Sequence, residues 1–223
     1  LTRGTVLSIV ERARAAGWKV VLGGPEPSNY APQYLAAGAN WVVQGEGELA
    51  LERLLRGEPV PEGLVAGEQI PDLDELPWPD RERINLAPYL DAWRSRHGKS
   101  SLSLITARGC PYSCRWCSHS VFGKTHRRRS VQDVADEAEW LLARYSPDML
   151  WYADDVFTIH HGWTMDYAAE LKRRSIRVPF ECITRADRLN ERVADALAEM
   201  GCFRVWVGSE SGSQRILDAM ERG

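Results

Sequence analysis

The sequence lacks any apolar run near the ~20 residues that a membrane-spanning helix requires. It also shows no signal peptide and no strong excess of charge of either sign, since the formal net charge is -3. These absences predict a soluble, cytoplasmic protein for which neither nucleic acid nor an anionic membrane is a bulk partner. The sequence begins with Leu1 inside a helical pattern and ends just after another predicted helix. We therefore expect it to be a fragment of a longer protein.

Cysteine is also sparse, and three of the five cysteines lie together. Cys110, Cys114 and Cys117 have C-x3-C-x2-C spacing and follow the apolar run 103–107, which predicts a buried strand. A glycine and a proline then break this strand into a loop. Thiolates at such close spacing ligate iron–sulfur clusters or zinc. In a cluster with four irons, three cysteines leave one iron open for a substrate or cofactor.

A structural zinc site is the alternative interpretation of this loop. Closed zinc sites have four ligands, typically as two Cys/His pairs, and His119 or His126 could complete such a set. The sequence contains no second C-x2-C pair, however. Cys182 and Cys202 lie far from the triplet, in or beside apolar strands, and we expect both to be core residues. Disulfides are typical of small secreted domains rather than of cytosolic α/β enzymes, so we favour the cluster.

The segment 108–118, with the aromatic residue Trp116 just before its last cysteine, resembles the signature of the radical S-adenosylmethionine (SAM) superfamily. The resemblance implies that the open iron of a [4Fe-4S] cluster chelates the amino and carboxylate groups of SAM. The reduced cluster would then cleave SAM to a 5′-deoxyadenosyl radical. It further implies a small-molecule substrate, an external electron donor of low potential (flavodoxin-like or ferredoxin-like), and no catalytic residue beyond the cluster.

From residue 100 onwards, β and α patterns alternate four times. Helices with one apolar face that alternate with strands are typical of a parallel sheet covered by helices. We therefore predict an α/β fold in which residues 100–223 form the first four βα units of a partial (β/α) barrel of radical SAM type. Functional groups should lie at the carboxyl ends of its strands, where the cysteine loop is found. The predicted strands are 102–107, 148–153, 178–183 and 203–208, and the predicted helices are 131–145, 161–174, 190–200 and 213–222.

The other strand ends carry candidate SAM-binding residues, with roles that the resemblance implies. Asp154 and Asp155 follow the second strand, where the family uses an acidic pair for the methionine amino group. Arg185 follows the third strand, where an arginine lies near the SAM carboxylate or ribose. Glu210 lies within 208–212, which is similar to a G-x-E-S-G segment that faces SAM in cobalamin-linked members. The alternatives are structural: an aspartate that binds loop amides, an arginine in a surface salt bridge, and a plain strand-to-helix turn.

The first 66 residues have an α-β-α-β-α pattern, which predicts a second parallel sheet. Its two glycine-rich strand ends resemble the C-terminal half of a doubly wound cobalamin-binding domain. The resemblance implies cobalamin contacts at Gly23, Gly24, Gly45 and Glu46, because glycine lets the backbone approach a ligand closely. The histidine loop that can ligate cobalt in this family is not in the sequence. The alternative is that these loops are turns and helix caps. Residues 67–99, rich in proline, predict an interdomain linker.

Together these expectations favour a radical SAM enzyme with a [4Fe-4S] cluster and, as the expected second cofactor, cobalamin. The favoured reaction is methyl transfer to an unactivated centre. We expect the fragment itself to be inactive in this reaction. A non-methylating radical SAM cyclase or rearrangement enzyme is the first alternative. A zinc-binding interaction module without catalysis is the second.

Overall fold

The computed structural model of the chain describes residues 2–117 and 122–221. These residues fall into two compact units, the first comprising 2–71 with 122–124 and the second 72–117 with 125–221. The predicted linker, 67–99, is divided between the two units, and its boundaries stay a prediction. Within the described residues, no helix is both long and apolar enough to cross a membrane.

The first unit contains a three-stranded parallel sheet with helices. Its core packs Val10 of the first helix against Tyr34 and Val42. The predicted α-β-α-β-α pattern is present, and one further helix and one further strand accompany it. In order, the elements are α1 (Arg3–Ala15), β1 (Val21–Gly23), α2 (Pro25–Asn29), α3 (Ala31–Ala36), β2 (Trp41–Gln44), α4 (Glu48–Leu55) and β3 (Gly63–Ala66).

The two additional elements, α2 and β3, have weak sequence signals. Pro25 predicts a turn in this glycine- and proline-rich stretch, yet it starts α2. A proline is tolerated there because the first N–H groups of a helix have no intrahelical partner. Strand β3 is four residues long and only half-buried on alternate positions, so its apolar pattern is weak.

The second unit contains a four-stranded sheet in the order β4-β7-β8-β9, in which all pairs are parallel. Each of these four strands leads to a helix, as predicted for four βα units, and a short two-stranded ribbon lies between the first strand and its helix. The elements are α5 (Ala87–His97), β4 (Ser101–Leu104), β5 (Ala107–Arg108), β6 (Arg127–Arg128), α6 (Val131–Tyr145), β7 (Met149–Tyr152), α7 (His161–Arg173), β8 (Phe180–Arg185), α8 (Glu191–Met200), β9 (Cys202–Gly208) and α9 (Gln214–Ala219).

The first predicted strand of this unit, 102–107, is wrong in its second half. The strand leaves the sheet after Leu104, and Ile105 is 47% exposed. Ala107 and Arg108 instead pair antiparallel with Arg128 and Arg127, which forms a two-residue ribbon. The chain turns away because the backbone N–H of Thr106 donates to a side chain of the next strand end rather than to a neighbouring strand.

One face of the four-stranded sheet packs against α6, α7 and α8. Its buried core includes Leu104, Leu150 and Phe180 from the strands. Within it, the hydroxyl groups of Tyr152 and Tyr167 lie 2.6 Å apart, and both side chains are fully buried. Burial raises the pKa of both tyrosines, so each stays a neutral phenol. This hydrogen bond joins β7 to α7.

The segment that precedes α5 is fixed to α6 by side-chain contacts. Trp78 Nε1 donates to Asp133 Oδ1 at 2.9 Å. Arg81 donates to Glu137 at 2.7 Å, and Glu137 is only 1% exposed although it lies on the apolar face of its helix. Arg129 donates to the second carboxylate oxygen of Glu137. The positive charges of two arginines thus compensate the negative charge of one buried carboxylate.

Replacing Tyr152 with phenylalanine should lower the free energy of unfolding by about 1–3 kcal/mol, because the Tyr167 hydroxyl is left buried without its partner. The Tyr152→Phe/Tyr167→Phe double variant should lose less, since neither polar group remains. Urea unfolding followed by circular dichroism measures both values. Tyr145→Phe is the matched control, because its buried hydroxyl has no partner among the described residues. Equal losses in all three variants would contradict this account.

Candidate functional site

The cysteine loop starts at the β5–β6 ribbon, at the carboxyl end of β4. Gly109 has φ +83°, and a Cβ added there would lie 2.1 Å from the backbone oxygen of Thr125. A side chain is therefore excluded at the point where the two arms of the loop approach each other. At the other side of the loop, the backbone N–H of Arg115 donates to the carbonyl of Met220 at 3.0 Å. Both contacts restrict where the three cysteines can lie.

The three thiols differ in exposure. Cys114 is buried, Cys110 is half-buried, and Cys117 is exposed. Burial raises the pKa of the Cys110 thiol, a hydrogen bond from the Tyr112 backbone opposes the shift, and the charges of Asp155 and of the other two cysteines add to it.

The donor chemistry of this loop fits an iron–sulfur cluster, because three soft thiolates come from one short segment. Within residues 2–117 and 122–221, no group of three or more His, Cys, Asp or Glu side chains lies close enough together to hold a metal ion. The candidate zinc ligand His119 lies outside the described residues. His126, the other candidate, has a pKa lowered to about 4 by burial, by Arg128 and by His160, whose ring lies 4.9 Å away.

Arg185 contacts the loop directly from the end of β8. Its Nη1 lies 3.5 Å from Cys114 Sγ, and its guanidinium carbon lies 3.9 Å from the centre of the Tyr112 ring. Its Nε donates to Asp187 Oδ1 at 2.7 Å. Burial disfavours its charge, but Asp187, Cys114 and Tyr112 raise its pKa overall. The salt bridge with Asp187 exists, but Arg185 is only 6% exposed and is not a surface residue.

Asp154 lies where the chain enters the loop, and several hydrogen-bond donors surround its carboxylate. Its carboxylate accepts the backbone N–H groups of Thr106 and Ala107 at 2.7 and 3.2 Å, and also the Thr106 hydroxyl. Arg128 Nη2 approaches it at 3.3 Å. Asp154 therefore binds loop amides, which is the structural alternative for this residue. Burial raises its pKa, and the attraction of Arg128 opposes that shift.

Arg128 belongs to the basic run 126–129. A run of charged residues before a helix is usually solvated, so the sequence predicts that these side chains are exposed to water. That expectation is wrong, because Arg128 and Arg129 are 5% and 11% exposed. Arg128 donates to the Phe157 carbonyl at 2.8 Å, and its guanidinium carbon lies 4.2 Å from the centre of the Trp163 ring. A sequence signal for buried cations did exist: Glu137 on the apolar face of α6 requires compensation by a positive charge.

The remaining SAM candidates lie on exposed surface. Asp155 is exposed, and its negative charge contributes to the raised pKa of the Cys110 thiol. Trp116 is 55% exposed on the cysteine loop. Glu210 is exposed after β9 and has φ +59°, a left-handed conformation that is uncommon outside glycine. The structure thus places Arg185 against Cys114 and Asp154 against the residues that precede the loop, while Asp155, Trp116 and Glu210 are exposed.

The four cobalamin candidates lie at one edge of the first sheet. Strands β1 and β2 are parallel neighbours, so Gly23 and Gly24 lie beside the loop that contains Gly45 and Glu46. Gly24 and Gly45 have φ +95° and +90°, which requires glycine. Glu46 is 3% exposed, and the N-cap position of α4 is Gly47, which has no side chain that could cap the helix.

Asp154→Ala should lower the free energy of unfolding by roughly 3–5 kcal/mol, because it leaves a buried guanidinium and two amides without their acceptor. Asp155→Ala is the matched control and should stay within about 0.5 kcal/mol of the parent protein, because its side chain is exposed. Arg128→Met combined with Asp154→Ala should cost less than the sum of the single changes. Denaturant unfolding measures these values, and strict additivity would show that the two residues are not coupled.

Comparison with known proteins identifies a family for this chain. The sequence profile of the radical SAM superfamily matches residues 104–223, which is more than half of the chain. An uncharacterised methyltransferase of Pyrococcus horikoshii is 30% identical over 225 residues, covering 92% of this chain and 48% of that protein. The cytidylyl-2-hydroxyethylphosphonate methyltransferase of Streptomyces wedmorensis is 35% identical, covering 78% of this chain and 34% of that protein.

A cyclase also matches. The anaerobic magnesium-protoporphyrin IX monomethyl ester cyclase of Rubrivivax gelatinosus is 27% identical, covering 91% of this chain and 40% of that protein. The chain thus spans about half or less of the length of these relatives.

A solved structure has the same fold. The radical SAM methyltransferase TsrM from Kitasatospora setae, with tryptophan substrate and a SAM analogue bound, superposes with a TM-score of 0.78 at 20% identity. The match covers 98% of this chain and 46% of TsrM. A second structure of TsrM holds cobalamin and a [4Fe-4S] cluster. From the profile match and the relative at 30% identity, we conclude that the chain belongs to the radical SAM superfamily of enzymes.

Proposed function

We propose that this protein is the cofactor-binding part of a radical SAM methyltransferase that uses a [4Fe-4S] cluster and cobalamin. The observation that carries the proposal is the three-cysteine loop at the carboxyl end of a parallel sheet, with a buried arginine at one of its sulfurs. The methyltransferase names of two relatives support the reaction class. Methyl transfer to an unactivated carbon or to phosphorus is the form we favour.

In this proposal, Cys110, Cys114 and Cys117 ligate three irons of the cluster. A reduced cluster bound there would supply the electron for the cleavage of SAM to methionine and a 5′-deoxyadenosyl radical. Asp155, exposed after the end of β7, would accept hydrogen bonds from the ammonium group of SAM. Asp154 acts mainly below the loop, through its amide contacts, although direct contact with SAM stays a prediction. Trp116, Arg185 and Glu210 complete the proposed SAM site.

For cobalamin, the proposed contacts are the four residues at the ends of β1 and β2. Two glycines with positive φ leave backbone atoms uncovered by a Cβ at this edge. Glu46 is buried in the second of these loops. Support for the cofactor itself comes from TsrM, which shares the fold over nearly the whole chain and binds cobalamin. Electrons would come from an external flavodoxin-like or ferredoxin-like donor in the cytoplasm.

A radical SAM cyclase is the second candidate function. The observation that favours it is the Rubrivivax gelatinosus cyclase, whose match covers 91% of this chain. A cyclase would share the cluster, SAM and the same fold, and would differ in the fate of the substrate radical. The two functions are therefore separated by the reaction product.

Alanine at Cys110, Cys114 or Cys117 should each abolish cluster assembly, because each removes one of three thiolate ligands. Iron and acid-labile sulfide should reach about four of each per parent chain after anaerobic reconstitution. Cys182→Ala and Cys202→Ala are the controls and should keep the full content. Tight zinc binding without iron in the parent protein would refute the cluster and support the zinc module.

Asp155→Ala and Glu210→Ala should weaken SAM binding without loss of iron. Removing one charge-assisted hydrogen bond from such a site costs about 1.5–3 kcal/mol, which is roughly a 10-fold to 150-fold rise in Kd. Titration of SAM into the reduced protein, followed by the paramagnetic signal of the cluster, measures the effect. Unchanged affinity in both variants would place SAM elsewhere.

The overall reaction is tested on the full-length protein that contains this chain. The assay combines SAM carrying a deuterated methyl group, cobalamin, a reductant and candidate substrates. Methyl transfer predicts label in the product together with 5′-deoxyadenosine and S-adenosylhomocysteine. Deoxyadenosine alone, with an unlabelled cyclised or rearranged product, would favour the cyclase.

A further inference from the structure

The end of β8 makes an unusual set of contacts with the cysteine loop. The Arg185 guanidinium is stacked on the Tyr112 ring at 3.9 Å and directs Nη1 at Cys114 Sγ, 3.5 Å away. Asp187 holds the Nε edge of the same guanidinium at 2.7 Å. One turn further on, Arg188 donates to the Tyr112 hydroxyl. A planar group with one face and one edge fixed has little freedom, so its approach to the sulfur is determined by these neighbours.

This arrangement is buried, which determines its electrostatic strength. Cys114 is 7% exposed, and the Arg185 side chain is 6% exposed. A charge close to a sulfur acts strongly where water does not screen it. Asp187 is 41% exposed and also pairs with Arg188 at 3.5 Å, so one hydrated carboxylate is shared between two guanidinium groups. The sulfur of Cys114 thus faces a buried guanidinium that donates a hydrogen bond to it.

A hydrogen bond and a positive charge at a ligand sulfur stabilise the more negative oxidation state of an iron–sulfur cluster. The reduced cluster carries one more electron than the oxidised cluster, so such a contact raises the reduction potential. The potential determines how readily a low-potential donor can load the electron that the proposed reaction needs.

We propose that Arg185 tunes the cluster: through its contact with Cys114 Sγ it raises the reduction potential of the SAM-free cluster, and through Tyr112 it positions the loop. The inference deepens, and rests on, the proposed cluster at Cys110, Cys114 and Cys117. It assigns to Arg185 a role that does not depend on SAM. Arg185 is thus a positioning residue of the cluster rather than only a SAM ligand.

The test uses the protein reconstituted anaerobically with iron and sulfide, without SAM. Titanium(III) citrate supplies single electrons, and the paramagnetic signal of the reduced cluster gives the midpoint potential. Arg185→Gln removes the charge, and Arg185→Lys keeps the charge but loses the planar stacking. Arg204→Gln is the matched control, because Arg204 lies on the neighbouring strand β9 and pairs with Glu181 at 2.9 Å.

We expect a more negative midpoint potential in Arg185→Gln, an intermediate value in Arg185→Lys, and the parent value in Arg204→Gln. An unchanged potential in Arg185→Gln, or an equal shift in Arg204→Gln, would overturn the inference. So would cluster loss in both Arg185 variants with retention in Arg204→Gln, since Arg185 would then be only structural. An unchanged potential combined with weaker SAM binding would assign Arg185 to SAM alone. Absence of iron from the parent protein would instead refute the proposed function.

Discussion

A buried carboxylate at the end of β7 determines where the cysteine loop begins. Asp154 takes the N–H groups of Thr106 and Ala107 and the hydroxyl of Thr106, just where the chain leaves β4. A carboxylate without water is strongly destabilising unless donors surround it, and these donors come from the first strand end and from Arg128 of the ribbon. The requirement to compensate one charge thus joins β4, β7 and the β5–β6 ribbon at a single point.

A second buried carboxylate acts in the same way on the outer side of the sheet. Glu137 is 1% exposed and holds both Arg129, next to the ribbon, and Arg81, from the segment before α5. The adjacent residues Arg128 and Arg129 therefore contact two different carboxylates. Such pairs give little net stability compared with apolar packing, but they tolerate few alternative arrangements. We interpret them as the reason that the strand ends and the loop above them have one defined geometry.

Local signals in the sequence predict much of this fold, and non-local contacts explain what they miss. The predicted bounds of α6, 131–145, match the structure, because the Ser130 cap and the apolar periodicity are properties of adjacent residues. The cysteine spacing is equally local. By contrast, the bond between Thr106 and Asp154 spans 48 positions, and the contact between Arg185 and Cys114 spans 71. No periodicity reports such pairs, so the early end of β4 and the partners of the buried arginines could be found only from the structure.

The central claim is that the three cysteines hold a cluster whose fourth iron binds SAM. The most direct measurement is electron–nuclear double resonance on the reduced, reconstituted protein, with SAM that carries ¹⁵N at its amino group. The account predicts a hyperfine coupling between this nitrogen and the cluster, which disappears when SAM is omitted. A cluster signal without nitrogen coupling at saturating SAM would contradict it.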